Sequence, residues 1–361
     1  MGAGVRPMEQ KSKILRQYGD TDFITGLRAI AATMVIVIHT GAFRDFGQWG
    51  QAVTDAGKYG VDIFFVISGF TIAKTFNEAR DYKSYLVRRM VRIVPLYWFM
   101  ISIAMLLWAS GNFSLPYWMI ELNSEPNLYN LAMHFSMLSY LDYRVANSVL
   151  GVEWTIPIEV FWYVCLPSAL WFALTIFRTV TLMFFMLIIT AALSYLSKEM
   201  LGTSLPIQWS PIAHGHLFML GALAFHLRGR FKSYKGKTSN KWIAAAVCLF
   251  TIALLFDFNG RSAILAISTA IMIVWLTPIR ASWVTRPLTT PPMLFVGSIS
   301  YSMYLVHMFV IHILHDLGWL PDAGHIRFIL IFGVTVLLST LTYLLIEKPT
   351  NQYGRKLVKS L

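Results

Sequence analysis

About ten runs of roughly twenty apolar residues, set apart by short polar stretches, fill this chain from residue 23 to 346. A bilayer's hydrocarbon core takes about 20 helical residues to cross, and only helices or closed barrels satisfy every backbone polar group inside it. The runs fall at 23–42, 57–79, 86–109, 154–175, 177–197, 211–228, 242–258, 261–279, 294–315 and 326–346. They predict an all-α polytopic membrane protein with about ten transmembrane helices. Charge content agrees: 13% of residues are charged, against ~25% in a soluble domain.

The basic residues orient the bundle. With the N-terminus inside, the cytoplasmic segments collect 23 of the 30 Lys and Arg, and the outer ones hold Arg44, Lys58, Arg144, Lys198, Arg261 and Arg327. That asymmetry predicts cytoplasmic N- and C-termini. It also accounts for the net charge of +12 without a nucleic-acid partner. The expected organisation is a cytoplasmic segment 1–20, a transmembrane domain 21–348 and a cytoplasmic tail 349–361. Within the domain, 110–152 forms a long outer loop, whose stretch 128–141 suits a re-entrant or interfacial segment. The first run is expected to stay as a membrane anchor, with no cleavable signal peptide. Cys165 and Cys248 lie in apolar runs, so no disulfide framework is implied.

Ionisable residues inside apolar runs are costly and mark function or pairing. In TGLRAIAATMVIVIHTG, residues 25–41, Arg28 and His39 are eleven apart, three turns plus ~20° of one face and roughly 16 Å along the axis. They predict a polar passage through the bundle. In KYGVDIFFVISGF, Asp62 stands near an outer helix end and Ser68-Gly69 permits close packing. In YLVRRMVRIVPLYW, Arg88, Arg89 and Arg92 gather at a cytoplasmic helix start ahead of Pro95. Such a cluster anchors to headgroups or forks around the phosphates of a polyanion. In GVEWTIPIEVFWYV, Glu153 and Trp154 sit where an aromatic belt would, and Glu159 lies deeper, where a carboxylate must be paired or protonated. In GSISYSMYLVHMFVIHILH, Tyr301, Tyr304 and His307 share one side, with His312 and His315 further out.

Together these segments resemble the acyltransferase-3 family of integral membrane acyltransferases, which modify surface polysaccharides, glycolipids, Nod factors and some antibiotics. The likeness rests on Arg28 and His39, GVDIFFVISGF, RRMVRIVPLYW, WTIPIEVFWY, and SYSMYLVH ahead of Glu347-Lys348-Pro349. It implies a donor, usually acetyl-coenzyme A, bound from the cytoplasm, with the acyl group presented through the bundle to a hydroxyl at the outer face. The family's essential arginine and histidine fall on Arg28 and His39, its arginine motif on Arg89 and Arg92, and its tryptophan–glutamate block on Trp154 and Glu159. The sixth run departs from the pattern, carrying His214 and His216 where many relatives have an arginine and a glutamate. Some relatives also carry a fused extracytoplasmic esterase-like domain; here the chemistry is expected to be completed within the bundle.

The expected function is an O-acyltransferase of a bacterial inner membrane, moving acetyl groups from acyl-CoA to an O-antigen or exopolysaccharide type of glycan or glycolipid. His39 is expected as general base or acyl relay, with Asp62 or Glu159 orienting its ring. Arg28, Arg88, Arg89 and Arg92 are expected to hold the donor, and Ser68, Trp154, Tyr301, Tyr304 and His307 to serve the network or the acceptor. Trp49, Tyr117, Trp118 and Trp319 are candidates for stacking on sugars. No metal or permanently bound cofactor is expected. The rival reading is a transporter or flippase, whose intramembrane charges would line a route without chemistry.

Overall fold

The computed structural model describes residues 21–172, 175–231, 238–277 and 282–360, and among them all regular structure is helical. The expected segment 1–20 lies outside these residues. Long helices occupy all ten apolar runs: α1 (Asp22–Thr40), α2 (Gly60–Asn77), α3 (Tyr82–Ala109), α4 (Thr155–Phe172), α5 (Ile176–Leu201), α6 (Pro211–Phe231), α7 (Thr238–Leu255), α8 (Arg261–Trp275), α9 (Ser300–Asp316) and α10 (Gly324–Thr342). Five stretches are long and apolar enough to cross a membrane, namely Asp22–Thr40, Arg44–Asn77, Tyr82–Ala109, Ile176–Leu201 and Gly324–Val358. The helices α4, α7 and α8 are apolar but shorter. The molecule is a multi-pass α-helical membrane protein.

One predicted span is not a single rod. Residues 294–315 divide between the short helix Pro291–Ser298 and α9, bent by 70° to each other. The break follows Gly297 and Ser298, and Ser300 Oγ turns back to donate to the Gly297 carbonyl at 2.8 Å. Pro95, by contrast, lies inside α3 without ending it.

In lipid the helices gain little from hiding apolar surface from one another, so small residues that let backbones approach decide which helices pair. A Cβ at Gly69 of α2 would lie 2.0 Å from the Phe218 carbonyl of α6, and one at Gly221 would lie 2.0 Å from the Val66 carbonyl. These reciprocal contacts bring α2 and α6 to backbone contact beside Ser68. At the periphery α5 carries Phe184, Phe185, Leu187 and Ile188 exposed, as a helix bathed in lipid should.

Two expectations at the edges change. The run 349–361, expected as a tail, continues as the helix α11 (Lys348–Ser360), entered through a π-helical turn at Tyr343–Glu347. Glu153, expected at an aromatic belt, is fully buried. Its carboxylate accepts from the backbone N–H groups of Val149, Leu150 and Val152 at 2.6, 3.0 and 3.0 Å, and so ties down the end of the outer connection. Within that connection 128–141 forms the short helix Leu128–Phe135 and a turn at Ser139–Leu141, too short to span. Outside the bundle core, Arg144 forks onto Asp142 at 3.0 and 2.8 Å, and Tyr129 donates to the same carboxylate at 3.0 Å. The Arg144 guanidinium, with further hydrogen bonds from the Arg144 amide and Tyr129, holds the Asp142 carboxyl below its usual range.

Candidate active site

Three cavities succeed one another along α1. The first is a broad basin of about 1730 Å³ at the end where α1 begins, into which Arg28, Arg88, Arg89 and Arg92 project. The second, a chamber of about 690 Å³, shares Arg28, Thr71, Arg89 and Arg92 with the basin, so the two adjoin. The third is a pocket of about 660 Å³ at the other end of α1, containing His39.

The arginines are held by short-range chemistry that the helix spacings supply. Arg89 is buried and donates to the Thr71 carbonyl at 2.9 Å and to the Thr75 hydroxyl. Ser68, Thr71 and Thr75 form one polar stripe of α2 at helical spacing, and that stripe faces the cavities. Arg28 Nε donates to Ser300 Oγ at 3.2 Å, at the very break that bends α9. Arg88 donates back to the Ser84 carbonyl at 3.2 Å. The Arg92 guanidinium makes no hydrogen bond or ion pair with described residues, leaving its fork open to the basin.

Glu159 sits in the chamber wall, where its Oε1 accepts from Ser68 Oγ at 2.5 Å and Tyr163 Oη at 2.7 Å. Two hydroxyl donors thus converge on one oxygen of this half-buried side chain. Tyr301 and Tyr304 also line the chamber. Tyr301 donates to the Ile93 carbonyl at 2.7 Å. Tyr304 donates to the Val152 carbonyl at 2.7 Å and accepts from Thr155 at 3.0 Å.

Chamber and outer pocket have no wall residue in common. Between them stand two rings: Tyr304 lies 5.9 Å from His307, and His307 lies 5.1 Å from His39. The hydrogen bonds fix the tautomers of this pair. His307 Nδ1 lies 3.1 Å from the Met303 carbonyl and must donate to it, which leaves its Nε2 an acceptor. His39 Nδ1 lies 2.8 Å from the Val35 carbonyl and 3.1 Å from His307 Nε2, so its N–H is shared between the two acceptors. His39 Nε2 is therefore the unprotonated nitrogen, the form a general base requires.

This geometry corrects the expected base–carboxylate pair. Glu159 is bonded to Ser68 and Tyr163, and neither it nor Asp62 bonds to His39; the imidazole of His307 does so instead. Asp62 lines none of the three cavities and accepts from Ser262 Oγ of α8 at 2.6 Å, which makes it a tie between helices. Trp154 is likewise outside the cavity walls, packed 6.3 Å from the Phe65 ring and 5.1 Å from His214. His214 itself bonds to the Gln208 carbonyl at 2.8 Å.

Of the four aromatic residues suggested for sugar stacking, Tyr117 and Trp118 line the outer pocket and Trp49 and Trp319 do not. The pocket also takes His312, noted in the sequence at the outer end of its run, and Trp108, which the sequence reading passed over. Ser114 fixes this wall by donating its amide and hydroxyl to Asp316, each at 2.7 Å. Tyr163, Thr71, Thr75, Asn351 and Arg355 were also missed. For Tyr163 a signal existed, since it stands one turn after Glu159. For Arg355 none did, because its helix had been read as a tail.

Comparison with known proteins bears on the whole of this assembly. The profile described as "acyltransferase domain" matches residues 21–344. Nodulation protein 10 of Rhizobium leguminosarum bv. viciae is 25% identical, over 92% of this chain and 94% of its own length. The putative peptidoglycan O-acetyltransferase YrhL of Bacillus subtilis and the O-acetyltransferase OatA of Staphylococcus aureus are each 24% identical over 92% of this chain. The chain spans only 55% and 57% of the length of those two relatives. No solved structure matches it. With the profile covering α1 to α10, the chain belongs to the acyltransferase domain family.

Proposed function

We propose that this protein is a membrane O-acetyltransferase that takes an acetyl group from acetyl-coenzyme A on the cytoplasmic side and passes it to a glycan hydroxyl on the outer side. The observation that carries the reading is the division of labour along α1: an arginine-lined basin adjoining the chamber at one end, and a histidine with a free Nε2 in an aromatic pocket at the other. The relatives named as O-acetyltransferases support the group transferred. The distribution of Lys and Arg supports ten spans with both termini cytoplasmic; in this reading the basin faces the cytoplasm and the His39 pocket the outer side of a bacterial inner membrane.

In this reading the phosphates of the donor meet the guanidiniums of the basin, and the pantetheine arm carries the thioester past Arg28 into the chamber. An acceptor sugar enters the outer pocket against Tyr117, Trp118 and Trp108, whose faces suit a pyranose. The two meet at the partition formed by Tyr304 and His307. His39 Nε2 takes the proton of the acceptor hydroxyl as its oxygen attacks the thioester carbonyl. The tetrahedral centre then breaks its C–S bond, and the proton passes to the departing thiolate. Products are an O-acetyl glycan and free coenzyme A. The acceptor we favour is a lipid-linked or exported glycan of O-antigen or exopolysaccharide type, and no resident cofactor or metal takes part.

The test is transfer of radiolabelled acetyl from acetyl-coenzyme A to membrane glycan by purified wild type and His39→Ala. Label in glycan with wild type alone supports the proposal. Wild type that neither binds nor consumes the donor overturns it, and a His39→Ala variant with normal transfer overturns the role of His39.

A further inference from the structure

The helix α11 lies beyond the region matched to the family, which ends at residue 344, yet it walls the basin. Asn351, Arg355 and Val358 line the cavity, at the i, i+4, i+7 spacing of one helical face. Between them Gly354 is buried against α3, where a Cβ would come within 3.2 Å of the Val91 side chain. Val91 stands between Arg88 and Arg92. Docking at Gly354 therefore sets Arg355 beside the α3 arginines, across a shared solvent space.

Among the described residues five arginines face one basin, Arg28, Arg88, Arg89, Arg92 and Arg355, against a single carboxylate in its wall, that of Glu347. Glu347 is already engaged by Ser302 Oγ at 3.0 Å. Neither Arg92 nor Arg355 makes a hydrogen bond or ion pair with described residues. Guanidiniums that so outnumber the carboxylates around them repel one another and are matched by a polyanion.

The cavity walls order the arginines. Arg28, Arg89 and Arg92 line both basin and chamber, whereas Arg88, Asn351 and Arg355 line the basin alone. A donor with its thioester in the chamber leaves its far end against Arg88 and Arg355. In acyl-coenzyme A that end carries a phosphomonoester on the ribose, with a charge of about −1.5 to −2 at pH 7.

We infer that α11 is a specificity element of the donor site, in which Arg355 recognises the ribose phosphomonoester of acyl-coenzyme A. The inference rests on the donor reading above, and the experiment separates the two. Initial rates are measured with acetyl-coenzyme A and with acetyl-dephospho-coenzyme A, which lacks only that phosphate. The enzymes are wild type, Arg355→Ala, Arg355→Lys, Asn351→Ala and, as control, Tyr353→Ala, whose side chain is 62% exposed and lines none of the cavities. Each is reconstituted in both zwitterionic and anionic vesicles.

Wild type is expected to prefer the phosphorylated donor by about 10- to 100-fold in kcat/KM, the worth of one charge-assisted pair. Arg355→Ala should raise KM for acetyl-coenzyme A by that factor, leave kcat unchanged, and leave the dephospho donor unaffected, so that the preference disappears. Arg355→Lys should restore part of it. Discrimination by Arg355→Ala equal to wild type overturns the inference. So does an Arg355→Ala defect that appears only in anionic vesicles and equally for both donors, which would make the residue a lipid headgroup anchor. Wild type inert with both donors removes the donor reading itself. Should Arg355→Ala fail to fold, Asn351→Ala and Arg355→Lys carry the same comparison.

Discussion

Replacing His307 with leucine removes the acceptor that faces His39 while keeping a side chain of similar bulk in a fully buried position. The consequence follows from two distances. His39 Nδ1–H is shared between the Val35 carbonyl at 2.8 Å and His307 Nε2 at 3.1 Å. The shorter bond is to backbone and survives the substitution, so Nε2 of His39 remains the unprotonated nitrogen. What is lost is one neutral hydrogen bond, worth about 0.5 to 1.5 kcal/mol, or about 2- to 12-fold in rate if all of it is felt in the transition state. On the proposed mechanism His39→Ala removes the base itself and should cost about 100- to 10,000-fold. A His307→Gln variant, with an amide oxygen near the position of Nε2, should recover most of the His307→Leu loss. The double variant His39→Ala/His307→Leu should be no slower than His39→Ala alone. The assay is acetyl transfer to membrane glycan by proteoliposomes of each variant, compared at equal folded fraction from melting curves. If His307→Leu is as slow as His39→Ala, the backbone carbonyl does not hold the ring. The two imidazoles would then act as one unit, and the tautomer argument would be wrong.

Gly69→Leu should strip the α2–α6 contact, because even a Cβ would sit 2.0 Å from a carbonyl oxygen. We expect a loss of more than about 3 kcal/mol, read as a collapse of the detergent melting temperature, with Gly333→Ala as a neutral control since nothing lies within 4 Å of it. Glu153→Ala should leave three backbone N–H groups of the outer connection without their acceptor, at about 1 to 3 kcal/mol for each that finds no water; faster hydrogen exchange at residues 149–152 would register it, and unchanged exchange would refute it. Asp142, whose carboxyl is held below its usual range by Arg144, steadies the outer connection above its ordinary pKa of about 3.9. That contribution should fade as pH falls through the lowered value and be absent at every pH in Asp142→Asn, measured as exchange protection at residues 143–146 after correction for intrinsic rates.

Hydropathy made the helices legible because each apolar run carries its own reason to be helical in lipid, and all ten runs are helical here. Three arginines of the basin, Arg88, Arg89 and Arg92, were legible for a similarly local reason, being clustered within about one turn of α3. Pairings across helices were not. That Asp62 answers Ser262, two hundred residues away, and that His39 answers His307 rather than a carboxylate, depends on which helices touch. That in turn is set by backbone approaches such as Gly69 to Phe218, which no spacing announces. Glu153 and Glu159 illustrate the limit. Six residues apart and chemically alike, one clasps the amides of a loop and the other meets hydroxyls in a chamber wall. The bend at Ile299 escaped notice because the apolar residues on either side carry the hydropathy of the run across Gly297, Ser298 and Ser300, and α11 because its polar sequence has no membrane signature.

The rings of Tyr304 and His307, standing between chamber and outer pocket, bear on permeability. A bundle hollowed from both ends is one opening short of a pore, and a pore of this width would discharge the ion gradients of any membrane holding it. With the partition in place, each cavity is a blind end. The arginines of the basin add a positive potential that repels protons and metal cations from the side where the hollow is widest. In the proposed transfer the hydroxyl and the thioester meet at the partition itself, so no passage wide enough for a hydrated ion has to open through it. The same side chains that orient the base can thus keep the membrane electrically tight during turnover. Wild-type proteoliposomes should accordingly hold a pH gradient as long as empty ones, with His307→Ala the variant to leak first.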